Sequence, residues 1–331
     1  MSEQRVFISQ EIDDQALQVF DGTGVIVDAR RDHFPLQPAQ LAASAAECDG
    51  LICLLTDRID ATFLAACPRL KVVANVAAGY DNIDVDAATR AGILVTNTPG
   101  VLTEATADLA FSLLLAAARR VPEGDVFLRA GRYTHWRVRQ EQMGLDVFGT
   151  TLGIFGFGQI GQAMARRARG FGMNVLYYSA TRRSADVETD LGVRFVPFEE
   201  LLQQSDFLSV HAPLTPQTRH IFDAGAFACM KRTAILINTA RGPLVDEAAL
   251  AEALRCQTIA GAGLDVYEYE PAVHPELLAQ HSRVVLLPHL GSATASTRQE
   301  MSHMAAENVR AALFGGRPVN LVNPEVLSDA A

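Results

Sequence analysis

The chain has 331 residues, 49% of them apolar and 20% charged, with a formal net charge of −10 at pH 7. This length and composition can fill more than one core and exclude a disordered chain, while the negative balance argues against nucleic acid or an anionic membrane surface as the main partner. No apolar run approaches the roughly 18 residues that span a membrane, and no signal peptide precedes the first apolar stretch, so a cytoplasmic protein is expected.

Short apolar strands are expected at 6–9, 25–28, 51–55, 72–76 and 94–97, with helical spacing in intervening stretches such as 37–47 and 60–67. This βα alternation predicts a small parallel sheet covered on both faces. The stretch 99–120 then offers Thr103 as an N-cap, Glu104 in a first turn and Arg119 and Arg120 at its end, with Leu109, Ala110, Leu113, Leu114, Ala117 and Ala118 as an apolar face. It predicts one long buried helix connecting two domains. Tyr133 and Trp136 follow; a place at a substrate mouth or a subunit contact is open to them, and a core position is expected for the lone tryptophan.

Residues 151–161 read as an apolar strand and a GxGxxG turn at Gly156, Gly158 and Gly161, followed by a helix over 162–170. In that context the glycines form a dinucleotide-binding fingerprint. Gly156 allows a tight turn, Gly158 lets the backbone approach a pyrophosphate, and Gly161 lets the helix pack on the sheet with its N-terminus toward the anion. Strands are expected next at 175–179, 207–212, 234–239, 262–266 and 284–287, separated by helices such as 246–256. A last helix over 296–314 lies beyond this second sheet and is expected to return to the first domain. The fold class is therefore α/β, with two doubly wound parallel-sheet domains. Cys48, Cys53, Cys67, Cys229 and Cys256 lack CxxC or Cys/His ligand spacing, so mostly buried reduced thiols are expected and no metal site.

Three further motifs end apolar strands. Arg241 stands in Asn-Thr-Ala-Arg-Gly, Asp265, Glu268 and Glu270 in Asp-Val-Tyr-Glu-Tyr-Glu-Pro, and His289 in Pro-His-Leu-Gly. The carboxyl ends of parallel strands are where ligands bind. Taken singly, a turn arginine, solvated acids and a structural histidine remain open.

In this order, and with the fingerprint in mid-chain, the motifs resemble the D-isomer-specific 2-hydroxyacid dehydrogenase family over nearly the whole sequence. The segments 75–81 and 102–110 look most like the glyoxylate/hydroxypyruvate reductases and the neighbouring 2-ketogluconate reductases. The resemblance implies a flavodoxin-like substrate domain, 1–99 with 292–331, and a Rossmann dinucleotide domain, 100–291. It implies hydride transfer between NAD(P)H and a small 2-keto acid, with His289 as acid/base, Glu270 as its carboxylate partner and Arg241 on the substrate. The substrate carboxylate would lie on the backbone N–H groups of Ala77, Ala78 and Gly79. Cofactor contacts would come from Gly156, Gly158, Gln159, Ile160 and Gly161, from Ser179, Thr181 and Arg182, and from Thr106. Further contacts would come from His211, Ala212, Pro213 and Thr218, and from Thr239, Ala240, Arg241 and Asp265.

Ser179 occupies the place where an NAD enzyme carries Asp or Glu for the ribose 2′-hydroxyl. With Thr181 and Arg182 or Arg183 it could accept a 2′-phosphate, so NADPH is expected to be preferred with NADH possible. A homodimer through 102–149 is also expected. Formate dehydrogenases differ in having Gln where Glu270 stands and in carrying extra amino-terminal sequence. Phosphite dehydrogenases place a Lys in the loop that here reads Ala77-Ala78. A third alternative is a nucleotide-sensing co-repressor, which binds peptides and is not an enzyme.

Overall fold

The computed structural model describes residues 3–280 and 282–327 and separates into two units, Met1–Leu102 with Ser292–Ala331, and Thr103–Gly291. In the first unit the strands are β1 (Arg5–Ile8), β2 (Ile26–Ala29), β3 (Gly50–Cys53), β4 (Val72–Asn75) and β5 (Leu94–Thr96). The helices between them are α1 (Pro38–Ala45), α2 (Ala61–Ala66) and α3 (Val85–Arg90). All the pairings are parallel, in the order β2-β1-β3-β4-β5, which is the flavodoxin-like arrangement. β3 and β4 are buried at every residue, as a sheet covered on both faces demands. Asp60 and Asp84 start α2 and α3 by accepting the amides of Phe63 and Ala87 at 3.0 and 2.9 Å.

The second unit opens with α4 (Thr103–Arg119) and α5 (Val121–Arg129). Its strands are β6 (Thr151–Phe155), β7 (Asn174–Tyr178), β8 (Val193–Phe195), β9 (Phe207–Val210), β10 (Ile235–Asn238), β11 (Gly261–Leu264) and β12 (Val284–Leu286). Between them run α6 (Gln159–Gly170), α7 (Ala185–Leu191), α8 (Phe198–Gln204), α9 (Ala224–Cys229), α10 (Glu247–Arg255) and α11 (Pro275–Leu278). The seven strands are parallel in the order β12-β11-β10-β9-β6-β7-β8, the doubly wound Rossmann order with its reversal between β6 and β9. Alternation along β10 feeds two apolar layers. Leu236 packs with Phe222, Phe227 and Leu250 on one face, and Ile235 and Ile237 pack with Leu113 and Met164 on the other. The final helix, α12 (Ala295–Leu313), belongs to the first unit, where a Cβ on Gly50 would stand 2.9 Å from Val309.

Five expectations change. β8, an edge strand of three residues with exposed Arg194 at its centre, has too little apolar pattern to be read from sequence. α6 begins at Gln159, so Gly161 sits inside its first turn rather than ahead of it. The connecting stretch is two helices: Thr103 is the first residue of α4, and Arg120, at φ 53, breaks the chain before α5. Trp136 is 69% exposed and not in the core. Cys48, Cys53 and Cys67 are buried thiols, but Cys229 and Cys256 are exposed.

Candidate active site

The loops that follow β6 and β9 meet where the strand order reverses. Gly156 has φ +94, and a Cβ there would stand 2.4 Å from the Ala212 amide nitrogen, so only glycine fits. A Cβ on Gly161 would lie 2.3 Å from the Gly156 carbonyl oxygen. Gly158 differs, because a Cβ there would meet no atom of the described residues within 4 Å. The space beside it adjoins the N-terminus of α6, where the amides of Gln159, Ile160 and Gly161 have no intrahelical acceptor. After β9, His211 Nε2 lies 2.8 Å from Ser209 Oγ, and burial pushes the imidazole pKa down to about 3, keeping it neutral. Thr218 shapes the same loop by donating to the Pro213 carbonyl at 2.9 Å and accepting the Thr215 amide at 2.8 Å.

Beyond β7, Ser179 Oγ donates to the Thr181 carbonyl at 2.6 Å. Arg182 turns to Glu188 in a two-pronged pair, 2.8 Å on each prong, and Tyr177 donates to the same carboxylate at 2.6 Å. These bonds, that from Arg182 first, hold the Glu188 pKa down at about 2. Arg182 therefore already has an anionic partner, which the sequence reading did not give it. Its neighbour Arg183 lies over the glycine turn, donating from Nε to the Phe157 carbonyl at 2.9 Å.

The three chemically suggestive residues all stand in the second unit, and each is braced. Buried Asn238 ends β10 and accepts the Ala240 amide at 3.0 Å while donating to the Arg241 carbonyl at 2.9 Å, which shapes the turn that carries Arg241. Next in the chain, a Cβ on Gly242 would fall 1.8 Å from the Tyr267 carbonyl carbon, so this turn lies directly against the segment that leads to Glu270. Glu270 Oε1 accepts the Tyr267 amide at 3.0 Å, and Oε2 lies 2.8 Å from His289 Nδ1. Burial opposes ionisation of Glu270, but His289, the Tyr267 amide and the Arg241 charge outweigh it and leave the carboxyl below its ordinary pKa. His289 has φ 56, and its amide donates to the Asp265 carbonyl at 2.9 Å. The Asp265 carboxylate, fully buried, takes the amides of Leu290 and Gly291 at 2.6 and 2.7 Å. Thr239 Oγ1 is buried without a hydrogen-bond partner among the described residues. Thr106, in α4, lies 3.6 Å by its Oγ1 from where a Gly291 Cβ would stand.

In the first unit the segment after β4 forms a tight loop. The Ala77 amide is used internally, donating to the Asn75 carbonyl at 2.8 Å. This removes Ala77 from the three expected anion donors and leaves Ala78 and Gly79.

The NAD-binding domain of the D-isomer-specific 2-hydroxyacid dehydrogenases matches residues 111–291. A glyoxylate reductase of Korarchaeum cryptofilum (strain OPF8) is 50% identical over 326 residues, 98% of this chain and 97% of its own. The chain belongs to the D-isomer-specific 2-hydroxyacid dehydrogenase family. A crystal structure of a glyoxylate reductase from Paecilomyes thermophila matches with a TM-score of 0.88 at 35% identity, over 98% of this chain and 100% of that one. The NADPH-dependent glyoxylate/hydroxypyruvate reductase of Sinorhizobium meliloti, solved with NADP and malonate, gives 0.85 at 35% identity over 97% of each chain.

As a member of this family, the protein is a nicotinamide-dependent oxidoreductase that acts between 2-keto and 2-hydroxy acids. The residues present fit such a cofactor: the space beside Gly158, the α6 N-terminus and the orphaned Thr239 hydroxyl all follow strand ends of one sheet. The bracing residues Asn238 and Glu247, the latter buried and accepting the amides of Glu268 and His274 at 2.7 and 3.2 Å, were not singled out in the sequence. Their signal was a polar residue at the border of an apolar strand or helix.

Proposed function

We propose that this dehydrogenase reduces glyoxylate and hydroxypyruvate, with 2-ketogluconate as a bulkier candidate, to the D-2-hydroxy acid, with NADPH preferred over NADH. The observation that carries the reading is the 2.8 Å contact of His289 with Glu270, which is itself held below its ordinary pKa partly by Arg241. Bound NADPH would supply the hydride. His289, hydrogen-bonded to Glu270, would give a proton to the keto oxygen and in the reverse direction take the hydroxyl proton. Arg241, always charged, would hold the substrate carboxylate and stabilise the negative charge that grows on that oxygen. The first unit's own part in this proposal is the loop after β4, whose Ala78 and Gly79 amides would bind a carboxylate. The names of the relatives support glyoxylate, and the NADP bound in the Sinorhizobium meliloti enzyme supports the cofactor.

Ser179, Thr181 and Arg182 would surround the 2′-phosphate, with Arg182 shared between phosphate and Glu188 and Arg183 adding charge from the glycine turn. A homodimer belongs to the same reading. α5 buries no residue, and Val126, Leu128, Trp136, Val138 and Phe148 are 60–79% exposed, apolar side chains that a second copy would cover. No described helix is long and apolar enough to cross a membrane; the cytoplasmic location is proposed with the function. A kcat/KM panel of glyoxylate, hydroxypyruvate, pyruvate and 2-ketogluconate with each nicotinamide cofactor tests the proposal. It is supported if glyoxylate or hydroxypyruvate with NADPH ranks first, and fails if no 2-keto acid is turned over.

A further inference from the structure

Three consecutive carbonyls in the loop after β4 are each held by a different donor of the first unit. The Thr98 amide donates to the Ala77 carbonyl at 2.8 Å. Asn97 Nδ2 donates to the Ala78 carbonyl at 2.7 Å, and Asn75 Nδ2 to the Gly79 carbonyl at 2.8 Å. In a trans peptide the C=O of one residue and the N–H of the next point in opposite directions. Fixing the Ala77 carbonyl therefore turns the Ala78 N–H away from Thr98, and fixing the Ala78 carbonyl turns the Gly79 N–H away from Asn97. Neither of those two amides donates to a backbone or side-chain acceptor among the described residues. The loop carries no lysine or arginine, so whatever anion affinity it has depends on keeping N–H groups, and not carbonyl oxygens, toward the ligand.

We propose that Asn97 and Asn75 are positioning residues for the substrate carboxylate, acting by holding the carbonyls of Ala78 and Gly79 away from it. This rests on the reading of the loop as the carboxylate site. Asn75 is suited to the task because both hydrogens of its amide are committed. Nδ2 reaches the Gly79 carbonyl and also Asn82 Oδ1 at 3.0 Å, while Asn82 Nδ2 holds the carbonyls of Leu54 and Asp57 at 3.1 and 3.0 Å. The Asn75 side chain is fully buried. An aspartate there would set an oxygen against two oxygens, so the amide is required and not merely a polar group of that size. Asn97 is half-buried, which makes it the safer site to change.

The test compares Asn97→Ala, Asn75→Ser and Ala78→Pro in the full chain. Each is measured for glyoxylate KM and kcat, the inhibition constant of oxamate, the NADPH KM and the melting temperature. Loss of one hydrogen bond that orients a donor to a charged group should raise the glyoxylate KM and the oxamate constant about tenfold in Asn97→Ala. kcat, NADPH KM and melting temperature should stay near wild type. Unchanged glyoxylate and oxamate values in Asn97→Ala would overturn the proposal. So would an equal loss toward NADPH with a lowered melting temperature, since that marks a purely structural role. Asn75→Ser is read by the ratio of its glyoxylate to its NADPH effect, which a general loss of stability would leave at one. Ala78→Pro deletes a loop N–H directly: if it leaves glyoxylate and oxamate unaffected, the carboxylate reading of the loop fails. If it weakens both while the asparagine variants do not, only the positioning role fails.

Discussion

His289 is suspended from Asp265: its amide donates to the Asp265 carbonyl at 2.9 Å, and the Asp265 carboxylate holds the next two amides, those of Leu290 and Gly291. The imidazole that meets Glu270 is thus presented from a left-handed backbone position, φ 56, that a non-glycine residue adopts only when its surroundings enforce it. Burial raises the pKa of Asp265 although both amides and His289 favour its ionised form. Its carboxylate is structural in the sense that it fixes where the His289 imidazole stands.

Asp265→Asn keeps the size but exchanges one acceptor for a donor that faces an amide. One buried N–H loses its partner, at a cost of roughly 1–3 kcal/mol. A lowered melting temperature and a kcat reduced at least about tenfold are expected, because a misplaced His289 still binds but rarely reacts. Thermal denaturation and steady-state kinetics check this, and a variant with wild-type kcat would separate Asp265 from the placement of His289.

Glu270 has a folded pKa below its ordinary value, so it remains ionised at every pH where the enzyme is assayed near neutrality. In the proposed mechanism reduction draws a proton from His289, and Glu270 is the carboxylate that faces it. Glu270→Gln removes the charge, so the limb along which reductive kcat/KM falls with rising pH should move to lower pH. A pH–rate profile that stays in place would count against the pair. For the same reason, the contribution of ionised Glu270 to stability should be present above the ordinary glutamate range and lost as pH falls through its lowered pKa.

Glu188 holds Arg182 by both prongs, so a 2′-phosphate placed there as proposed would have to compete for the guanidinium. Arg182→Ala should raise the NADPH KM much more than the NADH KM, Ser179→Asp should favour NADH, and Glu188→Gln should lower the NADPH KM by releasing the guanidinium. Parallel changes for the two cofactors would place the phosphate elsewhere.

The exposed apolar side chains of α5 and the stretch after it should be covered by a second copy. Light scattering at micromolar concentration should return twice the chain mass of 35.7 kDa. Phe148→Asp combined with Trp136→Ser should reduce that mass. A wild-type monomer would refute the dimer.

Much of the fold was legible because its strands are continuous apolar runs bounded by turn residues, as in Leu51–Cys53 and Ile235–Ile237, and burial on both faces leaves no ambiguity about which runs go inside. β8 was not, since three residues centred on Arg194 carry no periodic signal. Trp136 misled because an aromatic ring carries no sign of which surface, if any, covers it; here it is 69% exposed. The placement of Arg241, Glu270 and His289 after apolar strands was readable from local motifs. The bonds that position them were not: Asn238 to Ala240, Glu270 to Tyr267 and Asp265 to Leu290 depend on how loops fold back, which spacing alone does not encode, and the Arg182–Glu188 pair beyond β7 was hidden for the same reason. The Ala77 amide's bond to the Asn75 carbonyl, which leaves the amides of Ala78 and Gly79 open in the loop after β4, is likewise a short-range bond that no motif announces.

The most direct test of the central claim is the rate of NADPH oxidation on adding glyoxylate, measured side by side for the wild type and His289→Ala, with NADPH affinity determined by fluorescence titration for both. Wild-type turnover, a kcat lower by about 10²–10⁴ in the variant and equal NADPH affinity are predicted. A wild-type chain that binds NADPH but leaves glyoxylate and hydroxypyruvate unreduced, or a variant that turns over as fast as the wild type, would contradict it.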